Sequence, residues 1–470
     1  MEQSRGQCNR RDFMKTAGAA AAAFAATADG KLFAAGSKKR VALVGTGIRG
    51  TGFWGRNLNE KYSDILEFVG LCDINPGRLE FGKKFIGVNC PTFTDFDKML
   101  TQAKPDLLIV TTVDATHHEF IIKGLKSGIE VLTEKPLTTT ETKCQAILDA
   151  ERESGLKLKV GFNYRYNPHY TRIKELLAQN RVGQITSVDF HWYLNTYHGA
   201  SYFRRWHGIR ERSGTLLVHK ATHHFDLLNW WLDSEPVEVV AYGDLEHYGK
   251  NHAFRGEKCR DCPHQKSCKF YWDITRDKLL MNLYVDNEKY DGYIRDNCLW
   301  REEIDIYDKM AVIIRYANNV QVSYSLTTYS PYEGMRIAFN GMNGRIDAWD
   351  GIPWRRSEKL NQAELHKQEM SQAEKDQSAD YEEIMVMGNF GDYQLIKVPR
   401  ERSGHGGGDK RLQDQIFINP LPDPLRHTAG SRDGAMSCLI GIAARKSIEE
   451  KRGVKIEELT DLKPQAVRPV

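Results

Sequence analysis

Val41-Ala42-Leu43-Val44-Gly45-Thr46-Gly47-Ile48-Arg49-Gly50 is the stretch that decides the fold. A short apolar run reads as a buried parallel strand and passes at once into a GxGxxG turn. Glycines there permit a tight turn and let backbone N–H groups approach a pyrophosphate, which the positive end of the following helix also attracts. In a chain with 39 glycines the pattern alone says little; its position directly after a strand gives it meaning. A second apolar strand, Leu66 to Cys72, ends in Asp73, where a carboxylate accepts hydrogen bonds from both ribose hydroxyls of an adenosine. That favours NAD over NADP, since a 2′-phosphate would meet like charge, although Arg78 lies nearby. The plainer alternative is an aspartate capping the turn before Pro76-Gly77.

A third unit follows, with Leu107 to Thr112 as a strand, a polar loop from Asp114 to His118, a helix over Glu119 to Ser127, and a strand Glu130 to Thr133. The last strand runs straight into Glu134-Lys135-Pro136. Open parallel sheets bind ligands at the carboxyl ends of their strands, so the charged pair stands at a ligand address. A lysine there can hold a hydroxyl oxygen, and partial burial lowers its pKa toward proton-transfer work; a surface lysine paired with Glu134 is the alternative.

These motifs, with the Thr111 to His117 loop and Gly161-Phe162-Asn163-Tyr164-Arg165-Tyr166-Asn167-Pro168, resemble the Gfo/Idh/MocA family, the glucose-fructose oxidoreductase and inositol dehydrogenase-like NAD(P)-dependent oxidoreductases. The resemblance runs in register across most of the chain. It implies an α/β Rossmann domain with a parallel sheet, then an α+β domain with a large, mostly antiparallel sheet. It implies a cofactor site lined by Gly45, Gly47, Ile48, Arg49, Gly50, Asp73, Thr112, His117, Glu134, Lys135 and Asn163, with Lys135 beside the nicotinamide and the substrate hydroxyl. We accordingly divide the chain into a signal and linker (1–37), an NAD-binding domain (38–160) and a substrate domain (161–470) with a Cys-rich insertion at about 247–302.

Composition agrees with a soluble enzyme of two or three domains. The 470 residues carry 66 Lys+Arg against 62 Asp+Glu, a net +4 that recommends neither nucleic acid nor an anionic membrane surface. No apolar run approaches the roughly 20 residues of a membrane span. Asn9-Arg10-Arg11-Asp12-Phe13-Met14-Lys15 resembles the twin-arginine export motif, and the small apolar run Ala17 to Ala28 follows it. Ala26-Thr27-Ala28 and Ala34-Ala35-Gly36 are candidate cleavage sites, and without residues 1–28 the charge is +2. The twin-arginine route carries folded proteins to the periplasm or beyond, which suits a protein that takes up its cofactor first.

Beyond Pro168 a helix over Tyr170 to Gln179 precedes strands at Ile185 to Leu194, Val237 to Leu245, Met310 to Tyr316, Val320 to Leu326, Arg336 to Asn340, Arg345 to Trp349 and Tyr393 to Val398. Asn318-Asn319 and Asn343-Gly344 mark two hairpins. Such a sheet covers helices on one face and pairs with a second copy on the other, so a homo-oligomer is expected. Ala435 to Lys451 reads as a helix packing back on the first domain, and Gln362 to Glu383 as a solvated excursion.

His219, His223 and Asp226 recur at i, i+4 and i+7, one face of a helix. The family usually carries an aspartate four residues before the histidine matching His223; here His219 stands in its place, with Lys220 after it. Imidazole can take a proton from a hydroxyl as hydride leaves the same carbon, so His223 and His219 join Lys135 as catalytic candidates, a core histidine being the alternative. Arg165, Tyr202, Arg205, Lys220, His405 and Asp409 are the candidate substrate residues, since aromatic planes and fixed donors suit a polyhydroxyl ring.

Cys259, Cys262, Cys268 and Cys298 cluster in the insertion with ligand-like spacing. Four thiolates would satisfy a structural zinc; two disulfides are the competing reading in an oxidising compartment, ahead of free thiols or an iron–sulfur cluster. Cys72, Cys90, Cys144 and Cys438 read as core. Three functions fit: an NAD-dependent oxidoreductase acting on a sugar, glycoside or polyol; a redox-neutral glycosidase that oxidises, eliminates, hydrates and reduces; and a carbohydrate-binding protein that has kept the fold and lost the chemistry.

Overall fold

The computed structural model describes residues 38–351, 363–364, 367, 380–401, 403–418 and 421–469. The export motif and both cleavage sites, and most of Gln362 to Asp380, lie outside these residues. Six strands form the first sheet: β1 (Lys39–Val44), β2 (Leu66–Cys72), β3 (Thr92–Phe93), β4 (Leu107–Val110), β5 (Glu130–Thr133) and β6 (Leu158–Val160). All neighbours are parallel, in the order β3-β2-β1-β4-β5-β6. Helices cover both faces, so β4 is buried at all four of its positions, which is why its sequence is unbroken Leu-Leu-Ile-Val. The strand order reverses between β1 and β4, and the turns after β1, β4 and β5 open together at that edge.

The second sheet contains β7 (Ile185–Asn195), β8 (Pro236–Asp244), β9 (Lys309–Tyr316), β10 (Gln321–Ser330), β11 (Gly334–Gly341), β12 (Gly344–Asp350), β13 (Tyr381–Gly388), β14 (Tyr393–Pro399) and β15 (Val454–Lys455). Its order is β14-β13-β12-β11-β7-β10-β9-β8-β15, antiparallel throughout except for the parallel β7/β10 pair. Inward and outward residues alternate cleanly along β9 and β10, the pattern of a sheet with one covered face. Both expected hairpins form, and Asn319 takes the left-handed conformation its turn requires.

Two expectations need correction here. Tyr381–Glu383 is not solvated excursion but the start of β13; Glu382 points inward and pairs with Arg400 at 3.4 Å, so a polar residue disguises the alternation. His219, His223 and Asp226 do not share one helix. Leu216–His219 is a separate turn, Lys220 forms the junction, and Ala221–Leu232 is the helix proper.

Late segments return to the first sheet. Ser431–Glu450 packs on β6, with Gly434 against Val160 and Leu137. The helix Gly408–Phe417 reaches the turn after β1, where Gln413 donates to Phe53 O at 2.9 Å and Tyr62 to Asp414 at 2.6 Å. Arg165 is fully buried, donating to Asp226 through Nε at 2.8 Å and Nη2 at 2.6 Å and to Asp433 at 3.1 Å. This joint fastens the Tyr164–Tyr166 turn to two helices, so removing one carboxylate leaves a buried guanidinium short of charge. Asp226→Asn is expected to destabilise the protein by about 3–5 kcal/mol in denaturant unfolding, and a loss below 1 kcal/mol would contradict the assignment.

Candidate active site

The turn after β1 is built for close approach of a ligand to the backbone. Gly45 has φ +94°, and a Cβ there would lie 2.6 Å from the Thr111 carbonyl carbon; a Cβ on Gly50 would lie 2.0 Å from Gly45 O. Arg49–Arg56 then winds as a π-helix before the chain tightens into the α-helix Asn57–Tyr62. That wider turn brings Arg49 and Trp54, five residues apart, to one side, where Arg49 Nε (2.6 Å) and Trp54 Nε1 (2.7 Å) both donate to Glu134 Oε1. Asp73 closes the cradle at the end of β2, accepting from Thr46 N at 2.8 Å and Asn75 N at 2.9 Å. A glycine cradle in which a Cβ at position 45 or 50 would strike backbone, with a carboxylate at the next strand's end, fits a dinucleotide.

A segment of the insertion lies across this cradle. Tyr284 Oη accepts from Ile48 N–H at 2.8 Å, Asn75 Nδ2 donates to Asn287 O at 2.9 Å, and Arg78 Nη2 bridges Asp73 (3.2 Å) and Asp291 (2.5 Å). Sequence reasoning missed Asn75, Tyr284, Asn287 and Asp291, because no spacing rule connects positions more than 200 residues apart.

At the end of β5 the Lys135 ammonium lies 3.2 Å from His219 O and 3.4 Å from His219 Nε2. On its other side the His219 ring meets Asp114 through Nδ1 at 2.5 Å. Asp114 sits in the loop after β4 and is a further residue the sequence assigned no role; its signal was an aspartate at the carboxyl end of a parallel strand. Burial lowers the pKa of Lys135, against the pull of Asp114 and Glu134. Burial also depresses His219, helped by Lys135 and Arg205, and raises Asp114 well above the usual carboxylate value against Lys135. The trio therefore favours fewer charges than its parts carry in water. His223 faces the same space, stacked on Tyr164 with centroids 4.1 Å apart, and its buried Nδ1 has no hydrogen-bond partner. Burial, then the Lys135 and Lys220 charges, keeps this ring neutral.

Of the candidate substrate residues, Tyr202 stacks edge-on to His219 at 5.3 Å, Arg205 lies over Tyr202 at 5.1 Å, and Lys220 donates to Tyr164 Oη at 2.7 Å. His405 and Asp409 join a different set. Asp409 accepts from Arg49 Nη1 (3.3 Å) and Nη2 (3.2 Å), from Asn163 Nδ2 (2.6 Å), and meets His405 Nδ1 at 3.0 Å. Glu134 and Asp409 thus share the Arg49 guanidinium. Burial opposes both charges, but Arg49 outweighs it and holds both carboxyls below their usual value. His117 is buried against Pro136 O (2.8 Å) and Thr112 O (3.2 Å), and so positions the loop rather than facing the cleft. Thr112, beside it, accepts from Thr116 Oγ1 at 2.9 Å. Arg165, taken from the sequence as a substrate residue, is instead sealed in its ion pair with Asp226.

The zinc expectation is also corrected. Cys259, Cys262, Cys268 and Cys298 line one small pocket, yet among the described residues no three His, Cys, Asp or Glu side chains are set to share a metal ion. None of the four forms a disulfide. Two of the sulfurs have partners of their own: Arg204 Nη1 donates to Cys259 at 2.7 Å, and the Gly256 and Trp300 amides donate to Cys298 at 3.4 Å each.

Comparison with known proteins matches residues 39–162 to the oxidoreductase family's NAD-binding Rossmann fold and residues 174–456 to its C-terminal alpha/beta domain. Residues 7–27 match the twin-arginine translocation signal, so the chain is exported by that route. It is 36% identical over 442 residues to the "Putative oxidoreductase YteT" of Bacillus subtilis, covering 90% of this chain and 98% of that one. An inositol 2-dehydrogenase of Azotobacter vinelandii is 27% identical over 41% of this chain and 55% of its own length. Similar folds include an oxidoreductase domain protein from Kribbella flavida (TM-score 0.61, 16% identity, 89% of this chain and 99% of that one). Another is the WlbA dehydrogenase from Chromobacterium violaceum, solved with NADH and UDP-GlcNAcA (TM-score 0.58, 19% identity, 89% and 96%). With both halves matched and one relative aligned over almost its entire length, the chain belongs to the Gfo/Idh/MocA family of NAD(P)-dependent oxidoreductases.

Proposed function

We propose that this enzyme oxidises a hydroxyl of a sugar, glycoside or polyol and keeps its NAD bound between turnovers, the NADH so formed passing its hydride to the carbonyl of a second substrate. One observation carries the reading: Lys135 is fixed by His219, itself fixed by Asp114, at the strand end that opens beside the dinucleotide cradle. Bound in that cradle, NAD would supply the two-electron oxidant for a secondary alcohol. An ammonium has three donors, and His219 engages two directions of Lys135, leaving a third for the hydroxyl oxygen. His223, neutral in the resting site, accepts the hydroxyl proton. Asp114 and His219 act as positioning groups.

Export supports a retained cofactor, since soluble dinucleotide is not at hand outside the cytoplasm. The Tyr284 to Asp291 segment across the cradle supports it too. The sugar or polyol assignment draws on the relatives named for inositol oxidation. Arg78, held by both Asp73 and Asp291, is not free for a 2′-phosphate, which supports NAD over NADP. The outward face of β8 and β9, with Tyr242 77% and Ile313 53% exposed, suits pairing with a second copy.

The purified protein is expected to carry NAD(H), detected by absorbance and mass, and to reduce it on meeting a panel of polyols and glycosides. Lasting NADH with a ketosugar product supports the oxidoreductase. Sugar release at constant 340 nm absorbance instead indicates the glycosidase, and an empty cradle with no turnover overturns both. Asp114→Asn is expected to lower kcat about 10²-fold. Because the Asp114 charge raises the Lys135 pKa, its removal moves the Lys135 limb of the pH profile to lower pH; an unmoved profile would rule out this coupling. Asp73→Ser is expected to narrow an NAD preference by about tenfold or more in cofactor titrations. Light scattering is expected to show an oligomer that Tyr242→Glu dissociates.

A further inference from the structure

Buried guanidinium groups in this protein are, around the cleft, neutralised by carboxylates. Arg49 lies between Glu134 and Asp409, Arg78 between Asp73 and Asp291, and Arg165 between Asp226 and Asp433. Arg205 and Arg295 break the pattern. Arg205 follows the helix Thr196–Arg204 and donates through Nε to Ser201 O at 2.7 Å, with its guanidinium over Tyr202, the ring that packs on His219. Arg295 comes from the insertion and lies 4.7 Å above the Tyr284 ring, whose hydroxyl caps the glycine turn. Its Nε is buried with no hydrogen-bond partner, and its guanidinium lies at the hydroxyl of Tyr293, whose ring meets Tyr284 at 5.7 Å. Among the described residues neither guanidinium has a carboxylate within ion-pair distance; Asp277 acts on Arg295 only from farther away.

Two partly buried cations without an ion-pair partner, acted on only from farther away by Asp114 and Asp277, are costly, and they repel each other. Burial, then the charge of Arg295, lowers the Arg205 pKa to about 10. Lys135 feels Arg205 as well, so the uncompensated charge reaches the reacting end of the cleft. Planar guanidinium forks match carboxylate, sulfate and phosphate oxygens in pairs.

We propose that Arg205 and Arg295 form an oxyanion subsite in the substrate cleft, and that the sugar or polyol oxidised here is acidic, bearing a carboxylate or a sulfate ester. Tyr293 supplies a further donor to the same group. The inference rests on the function proposed above for the end of the cleft at Lys135, and adds the chemical class of its substrate. The one rival source of an oxyanion within reach is the cofactor's pyrophosphate, given the contact between Tyr284 and the glycine turn.

The test is calorimetric titration of the NAD-loaded protein with glucuronate, galacturonate, glucose 6-sulfate and neutral glucose and galactose, with bound NAD measured in parallel by absorbance and mass. At least one acidic sugar is expected to bind about tenfold or more tighter than its neutral counterpart, with the preference shrinking as salt is raised. The uronates and the sulfate tell the two oxyanions apart. Arg205→Gln and Arg295→Gln are each expected to lose the preference while keeping NAD, and Arg205→Lys to recover part of it. Equal affinity for acidic and neutral sugars overturns the proposal, and so do variants that shed NAD yet keep the preference, because the cations would then serve the pyrophosphate. If the glutamine variants do not fold, the preference of the unmodified protein and its salt dependence decide. Reduction of bound NAD by neutral sugars alone removes this inference and leaves the proposed function; tight acidic-sugar binding without any reduction does the reverse.

Discussion

The Arg49 guanidinium, shared by Glu134 and Asp409, ties together three parts of the chain that local structure would leave independent. Glu134 ends a strand of the parallel sheet, Arg49 opens the helix after the glycine turn, and Asp409 begins a helix more than 350 residues along. Burying two carboxylates is tolerable only because the cation between them is always charged and presents several donors in one plane. Asn163 and His405 complete the bonding of Asp409. The dinucleotide cradle and the loop at 403–409 are thereby held in a single frame, and the π-helical winding after Gly50 brings Arg49 and Trp54 to Glu134 together.

On that frame, polar burial is divided between holding and reacting. Arg165, Asp226 and Asp433 are fully engaged with one another and work as a joint. Lys135, His219 and Asp114 form a chain whose far end remains available, and the neutral His223 ring faces them with an unpartnered nitrogen. The carboxylate that the family pattern would supply four residues before His223 comes here from Asp114, in a different loop and from the other sheet. A histidine at position 219 is long enough to span that distance, and so Lys135 is joined through it to a carboxylate.

The insertion serves the cradle more directly than its cysteines suggested. Cys259 and Cys298 are bonded separately to Arg204 and to backbone amides, whereas Tyr284 reaches the glycine turn and Asn287 and Asp291 reach Asn75 and Arg78 beside Asp73. An exported enzyme gains from such a cover, because a dinucleotide lost outside the cytoplasm is not replaced.

Local pattern was enough for the sheet of parallel strands, for the glycine turn, for the places of Asp73 and Lys135 just past their strands, and for most strands of the second sheet, since each depends on residues within one or two turns of one another. β2 and β5 have the bounds their apolar runs predict. Local pattern failed where the partner is remote. The inward Glu382 hid β13 because Arg400 neutralises it, and an apparent single helix face at 219–226 is broken at Lys220. Arg165 read as a ligand donor until Asp226 closed on it. Asp114, Tyr284 and Arg295 acquire meaning only through neighbours 105, 236 and 11 residues away, distances at which a charge or hydroxyl finds its partner by chain folding and not by periodicity. Sequence alone thus determined the chemistry on offer and the strand ends that present it, while tertiary packing decided which charges are cancelled and which are left to meet a substrate.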